Sequence, residues 1–109
     1  MHPCASIAQS KFAAVSTASS GDNTLVAAVT GKKIRVLDYM LVAAGSLTVK
    51  FESSTSGPDI SGAMSMIVGV PQAPGFSELG HFETASGALL NLVLSAATQV
   101  SGWIVYQEV

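Results

Sequence analysis

Two histidines and a single cysteine are the side chains of this sequence best suited to nucleophilic or metal chemistry. His2 and Cys4 lie two residues apart near the start of the chain, and His81 lies far from both. A structural zinc ion needs about four such ligands, so this set is too small. A Ser-His-Asp arrangement would have to join His81 to distant residues, and the G-x-S-x-G motif of a nucleophile elbow does not occur. The sequence therefore predicts no catalytic residues, no metal ligands and no cofactor, and a protein that is not an enzyme.

Oxygen-rich turns and aromatic rings offer two further kinds of binding chemistry. Asp22-Asn23 and Gly57-Pro58-Asp59 contain oxygen ligands of the type that calcium uses, but these residues are also favoured in tight turns, and we interpret them as turns. Trp103 and Tyr106 form the one candidate aromatic cluster for binding a sugar. Since they are three residues apart, they point to opposite faces of an extended strand. One is predicted to lie in the core and the other at the surface or in an interface.

Charged residues are scarce in this chain. Asp, Glu, Lys and Arg make up 11% of its 109 residues, whereas an average soluble domain has about 25%. The formal net charge is −2 with five Lys and Arg residues, and nucleic-acid binding requires a basic patch that contacts several phosphates. The cluster Lys32-Lys33-x-Arg35 is interpreted as a charged turn that enters a strand. No apolar run reaches the roughly 18 residues of a membrane-spanning helix, so neither nucleic acid nor membrane is expected as a partner.

The single cysteine and the first eight residues indicate the compartment in which the protein is synthesised. Cys4 is the only cysteine, so no intrachain disulfide can form, and a free thiol suits a reducing cytosol. The first eight residues lack the basic segment and long apolar stretch of a signal peptide. We expect synthesis in a cytoplasm without export.

From Lys11 onward, short runs of β-favouring residues alternate with Gly, Pro, Ser, Asn and Asp. Ser20-Gly21-Asp22-Asn23 is predicted to be a turn, and Pro71–Gly80 is predicted to be the longest irregular connection. Residues Ala88–Ala97 also fit helical spacing, but Gly87 and Asn91 favour a strand. The predicted strands are Phe12–Thr17, Thr24–Thr30, Lys33–Ala43, Leu47–Ser53, Ala63–Val70, His81–Thr84, Gly87–Ser95 and Val100–Val109.

Alternation predicts which side chains face the core. In the Leu47–Ser53 strand, one face carries Leu47, Val49 and Phe51, and the other carries Thr48, Lys50 and Glu52. In the Lys33–Ala43 strand, simple alternation groups Ile34, Val36 and Met40 on one face and Leu37, Tyr39 and Leu41 on the other. In the last strand, Val100, Gly102, Ile104 and Tyr106 oppose Ser101, Trp103, Val105 and Gln107. A glycine within this strand indicates a bulge or a close backbone approach.

These elements predict an all-β fold, a single antiparallel β-sandwich of the jelly-roll type with about eight strands. Residues 1–10 are predicted to form a flexible N-terminal arm, and residues 11–109 form the sandwich domain.

Two segments break the apolar-in, polar-out pattern of a sandwich. Tyr39–Ala43 is apolar on both faces, and Leu89–Leu94 is nearly so. A strand with two apolar faces is covered on both sides, by a second subunit, by a long loop such as Pro71–Gly80, or because a bulge has shifted its register. We favour a subunit interface. The candidate interface residues are Tyr39, Leu41, Ala43, Leu89, Val93 and Trp103.

The chain resembles the small β-sandwich virion proteins of tailed bacteriophages over about residues 11–109. The resemblance lies in turn and strand segments and includes no catalytic motif. These segments are Ser20–Ala28, Gly31–Val36, Gly87–Leu92 and Val100–Val109.

The resemblance implies a structural role in a virion. Proteins of this kind include jelly-roll head-decoration (cement) proteins, which form trimers on the capsid and bind the major capsid protein. We therefore expect a homotrimer at the capsid surface, synthesised in the host cytoplasm, and we expect deletion of residues 1–10 to weaken capsid binding without affecting oligomerisation. The alternatives are a receptor- or carbohydrate-binding module of a tail fibre or spike, and a hydrolase with an unrecognised site.

Overall fold

A computed structural model gives the structure of the protein and describes residues 9–109. Within this range the chain forms eight β-strands and no helix. The prediction of an all-β fold is therefore confirmed, and the segment that also fitted helical spacing contains a strand. The strands are β1 (Ser10–Thr17), β2 (Gly21–Val26), β3 (Ile34–Ala43), β4 (Leu47–Ser53), β5 (Met64–Met66), β6 (Phe82–Glu83), β7 (Leu90–Leu94) and β8 (Val100–Glu108).

The strands form two four-stranded sheets that pack against each other. The front sheet has the order β1-β8-β3-β6, and the back sheet has the order β2-β7-β4-β5. All strand pairs are antiparallel. The first strand pairs with the last, from Ser10 opposite Gln107 to Thr17 opposite Val100. The predicted antiparallel β-sandwich is confirmed.

The core lies between the two sheets. Phe51 of the back sheet packs against Tyr39 and Phe82 of the front sheet, with ring centroids 5.1 and 4.6 Å apart. Burying one large aliphatic side chain contributes about 1.5–3 kcal/mol, so this layer is the main source of stability. The aliphatic residues buried around the rings are Ile34, Val36, Leu41, Val49, Leu90, Leu92, Leu94, Val100 and Ile104.

The alternation predicted for β4 and β8 is confirmed. In β4, Leu47, Val49 and Phe51 are core residues. In β8, Tyr106 packs against the core, whereas Trp103 lies on the opposite face and is 40% exposed. The two aromatic residues of the last strand therefore have the separate environments that their spacing predicts.

The prediction of which β3 side chains share a face is wrong for the residues that follow Val36. A β-bulge lies between Val36 and Asp38 in the pairing of β3 with β8. An extra residue in one strand shifts the alternation by one position. Tyr39 and Leu41 are consequently buried on the same side as Ile34 and Val36, and Met40 faces outward.

Several other strands also have bounds that differ from the prediction; the first begins earlier, at Ser10, and the seventh is limited to Leu90–Leu94. The second strand begins at Gly21 and ends at Val26, because the predicted turn residues are paired: the Asn23 backbone N–H donates to Asn91 Oδ1 at 2.9 Å. The fifth strand is limited to Met64–Met66, and the sixth to Phe82–Glu83. Turn-favouring residue types do not reveal a partner that is 68 positions away.

Gly102 permits the close approach of β8 to β3. A Cβ atom at this position would lie 1.7 Å from the Met40 carbonyl oxygen, and the residue has φ +151°. Only glycine fits this site. The prediction that the glycine within this strand marks a bulge or a close backbone approach agrees with this geometry.

The predicted arm falls mostly outside the described part of the chain. Residues 1–8, which include His2 and Cys4, lie outside it, and Ser10 already belongs to β1.

Candidate assembly surface

Three of the six predicted interface residues belong to the core of the chain itself. Tyr39, Leu41 and Ala43 have exposed fractions of 7%, 0% and 2%. They have almost no surface to offer to a second copy, so their selection as interface residues is corrected here. The bulge in β3 is the reason, because it turns this set of alternate residues towards the back sheet.

The other three predicted interface residues keep some exposed surface. Leu89 and Val93 are half-buried, and Trp103 is exposed on the outer face of the front sheet. In the back sheet, Val93 lies opposite Asp22 on one side and Lys50 on the other, so its neighbours are charged. An interface role for these three residues stays a prediction, and Trp103 is the one with apolar neighbours.

The outer face of the front sheet is apolar around Trp103. Residues directly opposite each other in antiparallel strands share a face, and Trp103 lies between Ala14 of β1 and Met40 of β3. In the neighbouring row, Val105 lies opposite Phe12, which is 79% exposed. We call this surface the front face; its apolar members are Phe12, Ala14, Met40, Val42, Trp103 and Val105.

The connection between β5 and β6 adds a second apolar surface. Residues 67–80 follow the free edge of β3, and we call them the edge ribbon. Backbone hydrogen bonds hold the ribbon in place: Leu41 and Gln72 exchange two, with N–O distances of 3.0 and 2.7 Å, and Ser77 N–H donates to the Leu37 carbonyl at 2.9 Å. Its exposed apolar residues are Ile67, Val68, Val70, Phe76 and Leu79.

A hollow opens where β5 runs into the edge ribbon. Its volume is about 200 Å³, and it is lined by Ser65, Met66, Ile67, Val70, Pro71 and Gln72. The Gln72 side chain donates from Nε2 to Met64 Sδ at 3.0 Å. Its other amide atom, Oε1, is buried and has no hydrogen-bond partner within residues 9–109. The hollow is therefore lined mainly by apolar surface.

The outer face of the back sheet has the opposite character, because its charges are paired with each other. Lys50 Nζ lies 3.1 Å from Asp59 Oδ1 and 3.4 Å from Glu52 Oε2. Hydrogen bonding to Asp59 raises the pKa of Lys50, and the same bond lowers the pKa of Asp59. Ser56 Oγ donates to Asp22 Oδ2 at 3.2 Å. The connection after β4 thus reaches across this face to β2.

Asn91 lies beneath that connection and is fully buried. Its Nδ2 donates to Asp22 Oδ1 at 2.8 Å and to Glu52 Oε1 at 3.2 Å, and its Oδ1 accepts from the Asn23 backbone. Each polar atom of the amide is therefore satisfied. The polar atoms of Asn91 all form hydrogen bonds within the fold, so none of them is left to bind a ligand.

Two of the three cations in the basic cluster at the start of β3 contact the same carboxylate. Glu83 of β6 accepts from Lys33 and Arg35, at 3.1 and 3.0 Å. Hydrogen bonds from Lys33 and then Arg35 hold the pKa of Glu83 below its ordinary value. These contacts support the interpretation of Lys32-Lys33-x-Arg35 as charges at a strand entrance.

His81 has a structural environment as well. Its Nε2 lies 2.6 Å from the Gly75 carbonyl oxygen, and its ring packs edge-on to Tyr39. Burial raises the pKa of the Tyr39 phenol. Residues 9–109 contain no group of three or more His, Cys, Asp or Glu side chains placed to hold a metal ion; His2 and Cys4 lie outside this range.

Most of the surface described above was not predicted from the sequence. The predicted strand Phe12–Thr17 carried no prediction of which face Phe12 lies on, and Ile67, Val68 and Val70 fell within the predicted strand Ala63–Val70. The signal that could have identified them is the placement of Ile67-Val68 and Val70 beside Gly69 and Pro71, since Gly and Pro weaken a strand interior.

Comparison with known proteins gives no relative: no family model and no curated protein matches the chain. In the described part of the chain, no helix is long and apolar enough to cross a membrane.

Proposed function

We propose that the protein is a structural component of a tailed-phage virion, a capsid decoration protein that forms a homotrimer on the head and has no enzymatic activity. Its partners in this proposal are other copies of the chain and the major capsid protein. The observation that carries the proposal is the apolar front face together with the edge ribbon. Large exposed apolar surfaces mark sites of protein association.

The order of the strands supports the fold that this proposal requires. Two four-stranded sheets of orders β1-β8-β3-β6 and β2-β7-β4-β5 are what a jelly roll of two Greek keys would give. We propose that the sandwich is of this type. Jelly rolls occur in viral capsid domains and in lectins, so the fold agrees with a virion role and does not select it.

The exposed apolar area is large enough for a stable interface. Phe12, Phe76 and Trp103 are 79%, 62% and 40% exposed, which amounts to roughly 400 Å² at about 200 Å² for each whole aromatic side chain. The exposed aliphatic residues of the edge ribbon add an area of similar size. Specific interfaces bury about 800 Å² on each partner, so assembly can cover most of this surface.

The proposed mechanism is association alone. Copies bury parts of the front face and edge ribbon against each other, and the remaining apolar surface and the N-terminal residues bind the capsid lattice. A protein that binds the assembled shell more tightly than loose subunits stabilises the shell by mass action. The capsid surface of the virion is the proposed location, after synthesis in the host cytoplasm.

One observation favours a second candidate function, a receptor- or carbohydrate-binding module of a tail fibre or spike. Trp103 is an exposed aromatic residue, and such rings are suitable for stacking on sugars. Its neighbours Ala14 and Met40 are apolar, whereas a sugar also needs polar partners for its hydroxyl groups. The decoration role therefore has the stronger support.

Two measurements test the proposal. Light scattering on the purified chain gives its mass, and we expect three copies. Electron microscopy of phage particles that contain the protein locates it, and we expect density on the head surface. A monomer at every concentration would contradict self-assembly, and density at a fibre tip would support the second candidate instead.

A further inference from the structure

We infer that copies of this chain join through a specific contact, in which Phe12 of one copy enters the hollow beside Val70 and Gln72 of the next. The inference rests on the proposed self-assembly and names the residues that perform it. Three features of the structure lead to it: the positions of the two sites, their sizes and their charges.

The two sites lie at opposite edges of the front sheet. Phe12 belongs to β1, which is the edge strand of the order β1-β8-β3-β6. The hollow lies beyond β3 on the other side, where Gln72 bonds to Leu41. A contact between two different patches is heterologous, and such contacts close into rings when the rotation between copies allows it. In a ring of three copies, each Phe12 would occupy the hollow of the next copy, so no Phe12 and no hollow would be left without a partner.

The sizes of the two sites agree. An apolar cavity of roughly 150 Å³ accommodates a benzene molecule, and the hollow measures about 200 Å³. Phe12 is the most exposed aromatic residue of the described chain, at 79%, and it lies on the edge strand β1. Phe76 belongs to the edge ribbon, which also lines the hollow. Trp103 has a larger ring system and belongs to β8, a central strand of the front sheet. Phe12 is therefore the side chain that fits.

Charge does not oppose the contact. The residues that line the hollow are all uncharged. The cation nearest Phe12 in sequence is Lys11, which forms an ion pair with Glu108 at 3.1 Å. The lining of the hollow and the Lys11–Glu108 pair therefore bring no unpaired charge to the contact, which would be costly to remove from water. Asp38, which lies opposite Val105 two strands from Phe12, is outside both halves of the contact.

Two exposed positions allow a direct test. Phe12→Asp and Val70→Asp place a charge in the two halves of the contact, and both side chains are more than half exposed, so each variant is expected to fold. We expect each variant alone to be monomeric by analytical ultracentrifugation, because a central contact residue commonly contributes a factor of roughly 30 or more in affinity. Ala28→Asp is the control, since Ala28 is exposed in the connection after β2 and lies outside the front face, the edge ribbon and both halves of the contact.

Mixing the two variants provides the decisive measurement. The Phe12→Asp protein keeps an intact hollow, and the Val70→Asp protein keeps an intact Phe12. An equimolar mixture is therefore expected to form a heterodimer through one contact, although each component alone is a monomer. A wild-type assembly that Val70→Asp leaves unchanged, or a mixture that stays monomeric, would overturn this inference and leave the proposed function standing. A wild-type protein that is monomeric at every concentration would overturn both.

Discussion

Asn91 shows how one buried amide allows two carboxylates to lie close together. It donates to Asp22 and to Glu52 through the two hydrogens of the same nitrogen, while its oxygen accepts from the Asn23 backbone. A carboxylate at this position would have no hydrogen to donate when ionised. The identity of the side chain is therefore determined by its partners.

The isosteric substitution Asn91→Asp tests this role. We expect a loss of about 3 kcal/mol in unfolding free energy at pH 7, because a buried charge would face two like charges. Those neighbours and burial raise the pKa of the introduced carboxyl, so the folded state binds a proton more readily and the loss shrinks as pH falls. Urea unfolding at several pH values measures it.

The control for this substitution is Gln99→Glu. Gln99 is exposed and donates to Ser16, Val100 and Ser101, none of which is charged. We expect a change within about 0.5 kcal/mol. A loss for Asn91→Asp that is equal at pH 4 and pH 7 would contradict the proposed electrostatic cause.

At the scale of the element, the bulge in β3 explains both the success and the failure of prediction from the sequence. The two-sided apolar pattern of residues 39–43 predicted a cover on both faces of this strand. The back sheet covers the face of Tyr39 and Leu41, and a cover on the other face stays a prediction. Which alternate set faces outward depends on the bulge between Val36 and Asp38, and a bulge forms through pairing with β8, 60 or more residues later. Met40 and Val42, rather than Tyr39 and Leu41, are consequently on the front face.

Strands that alternate cleanly were predictable, whereas elements defined by distant partners were not. The facing of β4 follows from Leu47, Val49 and Phe51 alone, because period-two alternation of apolar residues needs no long-range information. The edge ribbon depends on backbone bonds between Gln72 and Leu41, which no local pattern encodes. The candidate surface was therefore only partly predictable, through Trp103.

The pairing of β6 with β3 makes stability depend on pH. Glu83 bonds to Lys33 and Arg35, which lowers its pKa in the folded state. Its contribution is therefore present above the pKa of the unfolded chain, near 4.3 for Glu, and is lost as pH falls through the lower folded value. We expect the unfolding free energy to decrease below about pH 5.

Glu83→Gln should lower stability at pH 7 and flatten this acid dependence, as measured by thermal unfolding between pH 3 and pH 7. Because the group is one-third exposed, solvent screening keeps the effect small. Glu78→Gln, at an exposed position of the edge ribbon, serves as the control and should leave the acid dependence intact. An unchanged slope for Glu83→Gln would rule out this ion pair as its source.

The two sheets differ in their outer faces: the charges of the back face are paired with each other, whereas the front face carries an apolar patch around Trp103, with Asp38 opposite Val105. The back face pairs its charges through Lys50, Asp59, Glu52 and Asn91. The front face and edge ribbon expose seven large apolar residues at 40% or more. Association through the front half is the arrangement that removes apolar surface from water without breaking any ion pair.

Trp103 allows this arrangement to be observed directly. It is the only tryptophan of the chain, and it lies on the front face in β8, the strand next to β1. If copies cover this face, its emission should shift to shorter wavelength as protein concentration rises through the association range, and the melting temperature should rise in parallel by mass action. Phe12→Asp should show neither change, whereas Ala28→Asp, at an exposed position outside the front face and the edge ribbon, should show both. Assembly that raises the melting temperature without altering Trp103 emission would place the interface elsewhere on the molecule, because an indole that becomes buried loses its contact with water.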